Sequence, residues 1–139
     1  MDKRRAEWLL LMTWGVGAIV VFVVLLIQHM GGAFGSDASR AWGWYTATAL
    51  PALSLLTGSF IADGGRNEQI DKAAFKFVLA VSLFYLVILV LASMRYAFQS
   101  SHTALDVLAD SSVFLGPVQG LVSLSLGRLF GAAKATSGT

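Results

Sequence analysis

The sequence predicts an all-α integral membrane protein, a bundle of four transmembrane helices with both ends in the cytoplasm. Three observations carry that class. The chain has 139 residues, of which 56% are hydrophobic and only 13% charged, too little charge to cover a water-soluble domain of this size. Its apolar residues are gathered in four uncharged blocks, Trp8–Ile27, Ala41–Ala62, Phe77–Met94 and Ser111–Gly127. About 20 apolar helical residues span the ~30 Å hydrocarbon core of a bilayer. The remaining charges divide unequally between the two sides that four crossings create.

The first crossing is expected over residues 8–28. Lys3, Arg4 and Arg5 before an apolar stretch resemble a secretory signal, but a signal's apolar region is only ~7–15 residues long, so an uncleaved helix is expected. Gly31-Gly32 is a natural stop, and His29–Arg40 reads as an outer loop. The second crossing, 42–62, stops at Asp63-Gly64-Gly65. Asn67-Glu68-Gln69 suits the cap and first turn of a third helix over 74–98. Ser101–Asp110 suits a short surface helix that lays Leu105 and Leu108 on lipid. The fourth crossing, 111–130, is the weakest by hydropathy, since it holds Pro117, Gln119 and several serines. Residues 131–139 form a small, polar tail. The whole chain is one membrane domain.

Orientation follows from the basic residues, which favour cytoplasmic loops. With the N-terminus inside, Lys3, Arg4, Arg5, Arg66, Lys72, Lys76, Arg128 and Lys134 are inside and only Arg40 and Arg95 outside, eight of the ten lysines and arginines. Trp8, Trp42, Trp44, Tyr45 and Tyr96 lie near block ends, where amphipathic rings prefer the headgroup level. The expected site is a bacterial inner membrane.

The helices differ in kind. The first and third are rich in Val, Leu, Ile and Phe, and are expected to face lipid. The second and fourth carry small and polar residues at helical spacing. Gly116, Gly120, Ser123, Gly127 and Gly131 lie along one face of the fourth, and Ala47, Pro51, Ser54, Gly58 and Ala62 along one face of the second. Small residues at such spacing let backbones approach closely in lipid. Two readings are open: packing between these helices within one subunit, or a seam or pore-lining face between subunits. Pro51, Ser54, Thr57, Gly58, Gly116, Pro117, Gln119, Gly120, Ser123 and Gly127 are the candidate packing or pore-lining residues. Gln119, the most polar side chain within a block, needs a partner in lipid, and Thr46, Thr48, Ser54, Thr57, Ser123 and Ser125 are candidates. Pro51 is expected to kink the second helix, and Pro117 to sit in the first turns of the fourth. Ser54–Phe60 and Ser123–Phe130 resemble each other, but with unequal proline offsets and common letters the likeness reads as chance.

The chemistry absent from the chain narrows its function. Cysteine is lacking, which removes disulfides and thiol sites. No Asp, Glu, Lys or Arg falls deep in a block, whereas ion-coupled transport generally needs such a charge. Four-helix multidrug exporters resemble the chain in outline, yet their first helix carries a mid-membrane glutamate where this one reads Thr13-Trp14-Gly15-Val16-Gly17-Ala18. Glutathione-linked four-helix membrane enzymes are similar in length, but their charged, histidine-bearing motif is missing. His29 and His102 lack metal-ligand spacing, and no cofactor, metal or nucleic-acid motif occurs. The expectation is a non-enzymatic, homo-oligomeric membrane protein with a pore-like or permeabilising role. Its partners would be the bilayer and copies of itself. The alternative is an accessory or scaffold subunit bound to another membrane protein.

Overall fold

A computed structural model describes residues 2–62, 69–94 and 104–131 of the chain. It is all-helical, with four long helices: α1 (Lys3–Met30), α2 (Ala38–Ala62), α3 (Lys72–Met94) and α4 (Ala104–Gly131). Three of them, α1, α3 and α4, are long and apolar enough to cross a membrane, so the chain has the character of a membrane protein. The exception is α2. It is 25 residues long, but Gly, Thr, Ser and Pro dilute its hydropathy. The sequence marks the fourth block as the weakest; by this measure it is the second.

Helix ends follow local chemistry. Gly32 adopts φ +75, its N–H bonds to His29 O, and the Ala33 N–H bonds to Gln28 O at 3.0 Å. This is a Schellman stop, which favours glycine at the left-handed position. A 3₁₀ turn, Gly35–Asp37, then leads directly into α2, so the outer connection is shorter than His29–Arg40. Asp71 caps α3 by accepting from the backbone N–H groups of Ala73 and Ala74. That role had been expected of Asn67-Glu68-Gln69; of these, Asn67 and Glu68 lie outside the described residues. No separate surface helix forms over the described part of Ser101–Asp110, because Leu105 and Leu108 belong to α4 itself. Pro117 therefore sits in the middle of α4, not in its first turns. Asp63-Gly64-Gly65, residues 95–98 of the third block, His102 and the tail beyond Gly131 also lie outside the described residues.

The helices form a square in the cyclic order α1–α2–α4–α3. Cross-links fix their directions. Tyr45 of α2 donates to Ala18 O of α1 near one end, and Ser59 donates to Glu7 near the other, so α1 and α2 are antiparallel. Trp44 meets Ser111 and Ala47 meets Gln119, so α2 and α4 run parallel. Gly17 lies against Leu86 and Gln28 reaches Ser93, so α1 and α3 are parallel as well.

Each helix buries one face, which corrects the expectation that the first and third are merely outer walls. The buried row of α1 is Lys3, Ala6, Glu7, Leu10, Trp14, Ala18, Val21 and Leu25, which from Glu7 onward steps by three or four as an inward stripe requires. That of α3 includes Phe75, Val78, Ser82, Tyr85 and Leu89. Trp14 and Tyr85, both fully buried, fill the middle of the bundle with ring centroids 5.6 Å apart. The outside is equally apolar: Ile19, Phe84 and Val113 are 63%, 60% and 80% exposed. Large aliphatic and aromatic side chains pointing outward along whole helices suit a hydrocarbon solvent, since soluble monomers rarely expose contiguous apolar patches on this scale.

Candidate functional site

The face formed by α2 and α4 carries the residues that the sequence singles out. In α2, Pro51, Ser54, Thr57 and Gly58 are exposed; in α4, Gly116, Pro117, Gly120 and Gly127 are exposed, and Gln119 and Ser123 are half-buried. A Cβ built at Gly58, Gly116, Gly120 or Gly127 would meet nothing within 4 Å. These glycines therefore do not pack α2 against α4 within one subunit, and that reading of the stripes is set aside. The inward positions of the same helices are held by other residues, including Trp44, Thr48, Ala52 and Leu56 of α2 and Ser111, Leu115, Val122 and Leu126 of α4.

The glycine that does permit close approach is Gly17 of α1. An added Cβ there would lie 2.6 Å from Leu86 Cδ2 and 3.2 Å from its Cγ. Nothing in the sequence separates Gly17 from Gly15, which faces open space; only the register against α3 does so.

Gln119 finds its partner where Pro51 removed one. Proline has no N–H, so the carbonyl four residues earlier in its helix loses its donor. That carbonyl belongs to Ala47, and Gln119 Nε2 donates to it at 2.8 Å. The sequence points to hydroxyl partners for Gln119; the structure gives it a backbone oxygen freed by a proline on the neighbouring helix. Two of the candidate residues thus form one local device.

Two sets of hydroxyls on the bundle contrast. Thr13, Thr46, Thr48, Ser112 and Ser125 each donate to the carbonyl four residues back in their own helix. Such back-bonding lets a hydroxyl face lipid without an unmet donor. Ser54, Thr57 and Ser123 make no side-chain hydrogen bond among the described residues. All three lie on the α2/α4 face or at its edge, beside the bare glycines.

Polar side chains also stitch the interior. Tyr85 crosses the bundle diagonally to donate to Thr48 O at 3.0 Å. The Thr48 hydroxyl bonds to Trp44 O, the Trp44 indole donates to Ser111 Oγ at 3.1 Å, and Ser111 donates to Leu108 O. Trp14 Nε1 and Ser82 Oγ are buried without a hydrogen-bond partner.

At the opposite end, Lys3 and Glu7 are 3% and 1% exposed, and Ser59 Oγ donates to Glu7 Oε1 at 2.7 Å. The sequence places Lys3 among the cytoplasmic charges; it and Glu7 are instead enclosed by the bundle. The signal for them is their place on the buried row of α1, four residues apart. Arg4 lies 5.9 Å from the centre of the Phe60 ring. His29 stacks on Phe34 and meets the edge of Trp42, and no cluster of three metal-ligating side chains occurs among the described residues.

The half of the α2/α4 face nearer the N-terminal ends of both helices is hollow. A cleft of about 450 Å³ runs between the helices, with Arg40 at one end and Gln119 at the other. Gly43 and Gly116 form part of its walls, and both have open space where a Cβ would stand.

No known protein family, characterised protein or solved structure matches this chain. Its function must be argued from the face and the cleft themselves.

Proposed function

We propose that the protein crosses a bacterial inner membrane four times with both ends in the cytoplasm, and assembles with copies of itself through the α2/α4 face into a pore-like, membrane-permeabilising assembly. One observation carries this reading. The outward α2/α4 face combines glycines that nothing covers with hydroxyls that nothing bonds. In a bilayer, bare small-residue faces favour helix–helix contact, and an unmet polar group in hydrocarbon is costly. A neighbouring copy supplies the first need, and a wet path between copies supplies the second. The middle of a single bundle is filled by Trp14 and Tyr85, so the path belongs between subunits, along Ser54, Thr57, Ser123 and Gln119. The positive-inside bias supports the orientation. The fourfold crossing is supported by α2 being hydrogen-bonded at both ends to α1.

Purified in a mild detergent, the chain should run as a defined homo-oligomer and make liposomes leak. Gly120→Leu and Gly127→Leu should reduce its size and abolish leakage. A monomer that leaves liposomes tight and retains a second membrane protein would instead establish the accessory-subunit role, for which the same uncovered face would serve as the docking surface.

A further inference from the structure

The cleft between α2 and α4 sets a cation over a mainly apolar trench, in which the Thr48 and Ser112 hydroxyls are bonded back to their own helices. Arg40 is exposed at its mouth, and among the described residues it has neither an ion pair nor a hydrogen bond. No acidic side chain lines the cleft, although α4 carries Asp106 and Asp110 nearby in sequence. Below Arg40 the walls are Gly43, Ala47, Leu108, Leu115 and Gly116, and the bond from Gln119 to Ala47 O closes the far end. From Arg40 to Ala47 is seven residues, about 10 Å along the helix axis. That length takes the upper part of an acyl chain.

We propose that this cleft binds one anionic phospholipid from the outer leaflet, its phosphate on Arg40 and one acyl chain laid between α2 and α4. The inference rests on reading the helices as membrane crossings with Arg40 at the outer headgroup level, beside Trp42, Trp44 and Tyr45. It does not rest on self-assembly. Charge complementarity selects the head, because an unpaired guanidinium is a strong partner for a phosphate. The width selects the tail. Bonds join α2 and α4 at Trp44–Ser111 and at Ala47–Gln119, so a helix ~10 Å across cannot part them, whereas a slender acyl chain can lie along the cleft. A soluble phosphate would use Arg40 and leave the trench empty.

The test is native mass spectrometry of the purified protein in mild detergent, titrated with phosphatidylglycerol, with phosphatidylcholine of the same chains, and with inorganic phosphate. The expected result is one phosphatidylglycerol per chain, held more tightly than phosphatidylcholine. Arg40→Gln should weaken phosphatidylglycerol by roughly fivefold, the share of one basic residue near an anionic headgroup, and bring it level with phosphatidylcholine. Gly116→Leu should fill the trench and remove both lipids, while Ile19→Ala, on the exposed face of α1, should change neither. If Gly116→Leu does not fold, Gly43→Leu obstructs the same trench from α2. Equal retention of the two lipids by the unaltered protein, an unchanged Arg40→Gln variant, or displacement by inorganic phosphate would each overturn the proposal. So would a Gly116→Leu variant that keeps its lipid and changes only its oligomer size, since the cleft would then be a subunit contact. Oligomer size is read in the same spectra, so the lipid result stands or falls separately from self-assembly.

Discussion

Replacing Gln119 by leucine tests whether the side chain serves the carbonyl that Pro51 leaves without a donor. The substitution removes a 2.8 Å bond from Nε2 to Ala47 O. Interhelical side-chain hydrogen bonds in membrane proteins average about 0.6 kcal/mol and reach about 1.7. This bond stands toward the upper end, because Ala47 O has lost its usual α-helical donor and a stranded polar group adds about 1–3 kcal/mol. We expect Gln119→Leu to cost about 1.5–2.5 kcal/mol. In a Pro51→Ala background the new N–H of residue 51 bonds to Ala47 O within the helix, and the same substitution should cost about 0.5 kcal/mol or less. Leucine also gains contact with lipid, but equally in both backgrounds, so that gain cancels in the cycle. The coupling should therefore be about 1–2 kcal/mol. The assay is reversible unfolding in mixed micelles with increasing SDS, followed by far-ultraviolet circular dichroism on the four proteins of the cycle. A cost of Gln119→Leu that is the same in both backgrounds would refute the device.

Three further outcomes follow from the same geometry. Gly17→Ala drives a Cβ to 2.6 Å from Leu86 and should destabilise the bundle by about 1–3 kcal/mol; in a Leu86→Ala background, itself less stable through the lost core contact, the same substitution should cost much less, and an equal cost in both backgrounds in the same unfolding assay would place the strain elsewhere. Gly58→Ala and Gly120→Ala meet open space and should leave the monomer as stable or stabilise it by up to about 1 kcal/mol through helix propensity, so a marked loss of monomer stability would show that these glycines are packed after all. Tyr85→Phe removes only the hydroxyl that donates to Thr48 O; it should cost about 0.5–1.5 kcal/mol and leave helicity unchanged, with melting followed by circular dichroism as the check.

The all-helical fold of four long helices was legible because it depends on block length and composition alone. The end of α1 at Gly31-Gly32 and the start of α3 fall within a few residues of their glycine and charge signals, whereas α4 begins seven residues before the expected 111. Facing was not legible, and the reason is physical. In water, burial sorts apolar from polar residues, so periodicity reveals the inward side. Here both sides are apolar: α1 turns Leu10, Val21 and Leu25 inward while Val16, Ile19 and Ile27 point out. The aliphatic content of α1 and α3 was therefore no guide to which faces lie outward. The small residues of α2 and α4 share one face by helical spacing, but the sequence could not say whether that face points inward or outward.

Most of the interior polar groups in this bundle are matched across helices, with Trp14 Nε1, Gln28 Oε1 and Ser82 Oγ the buried exceptions among the described residues. Trp44 meets Ser111, Tyr85 meets Thr48 O, Tyr45 meets Ala18 O, Gln28 meets Ser93 O and Glu7 meets Ser59. Lipid offers these groups no substitute, whereas it solvates Leu or Val as well as a core does. A helix in such a medium gains orientation chiefly from shape and from its few polar handles. The same reasoning gives the α2/α4 face its interest. Ser54, Thr57 and Ser123 are polar handles without a match, set among glycines without a covering. By the logic that orients the rest of the bundle, this is the surface on which the proposed self-assembly rests.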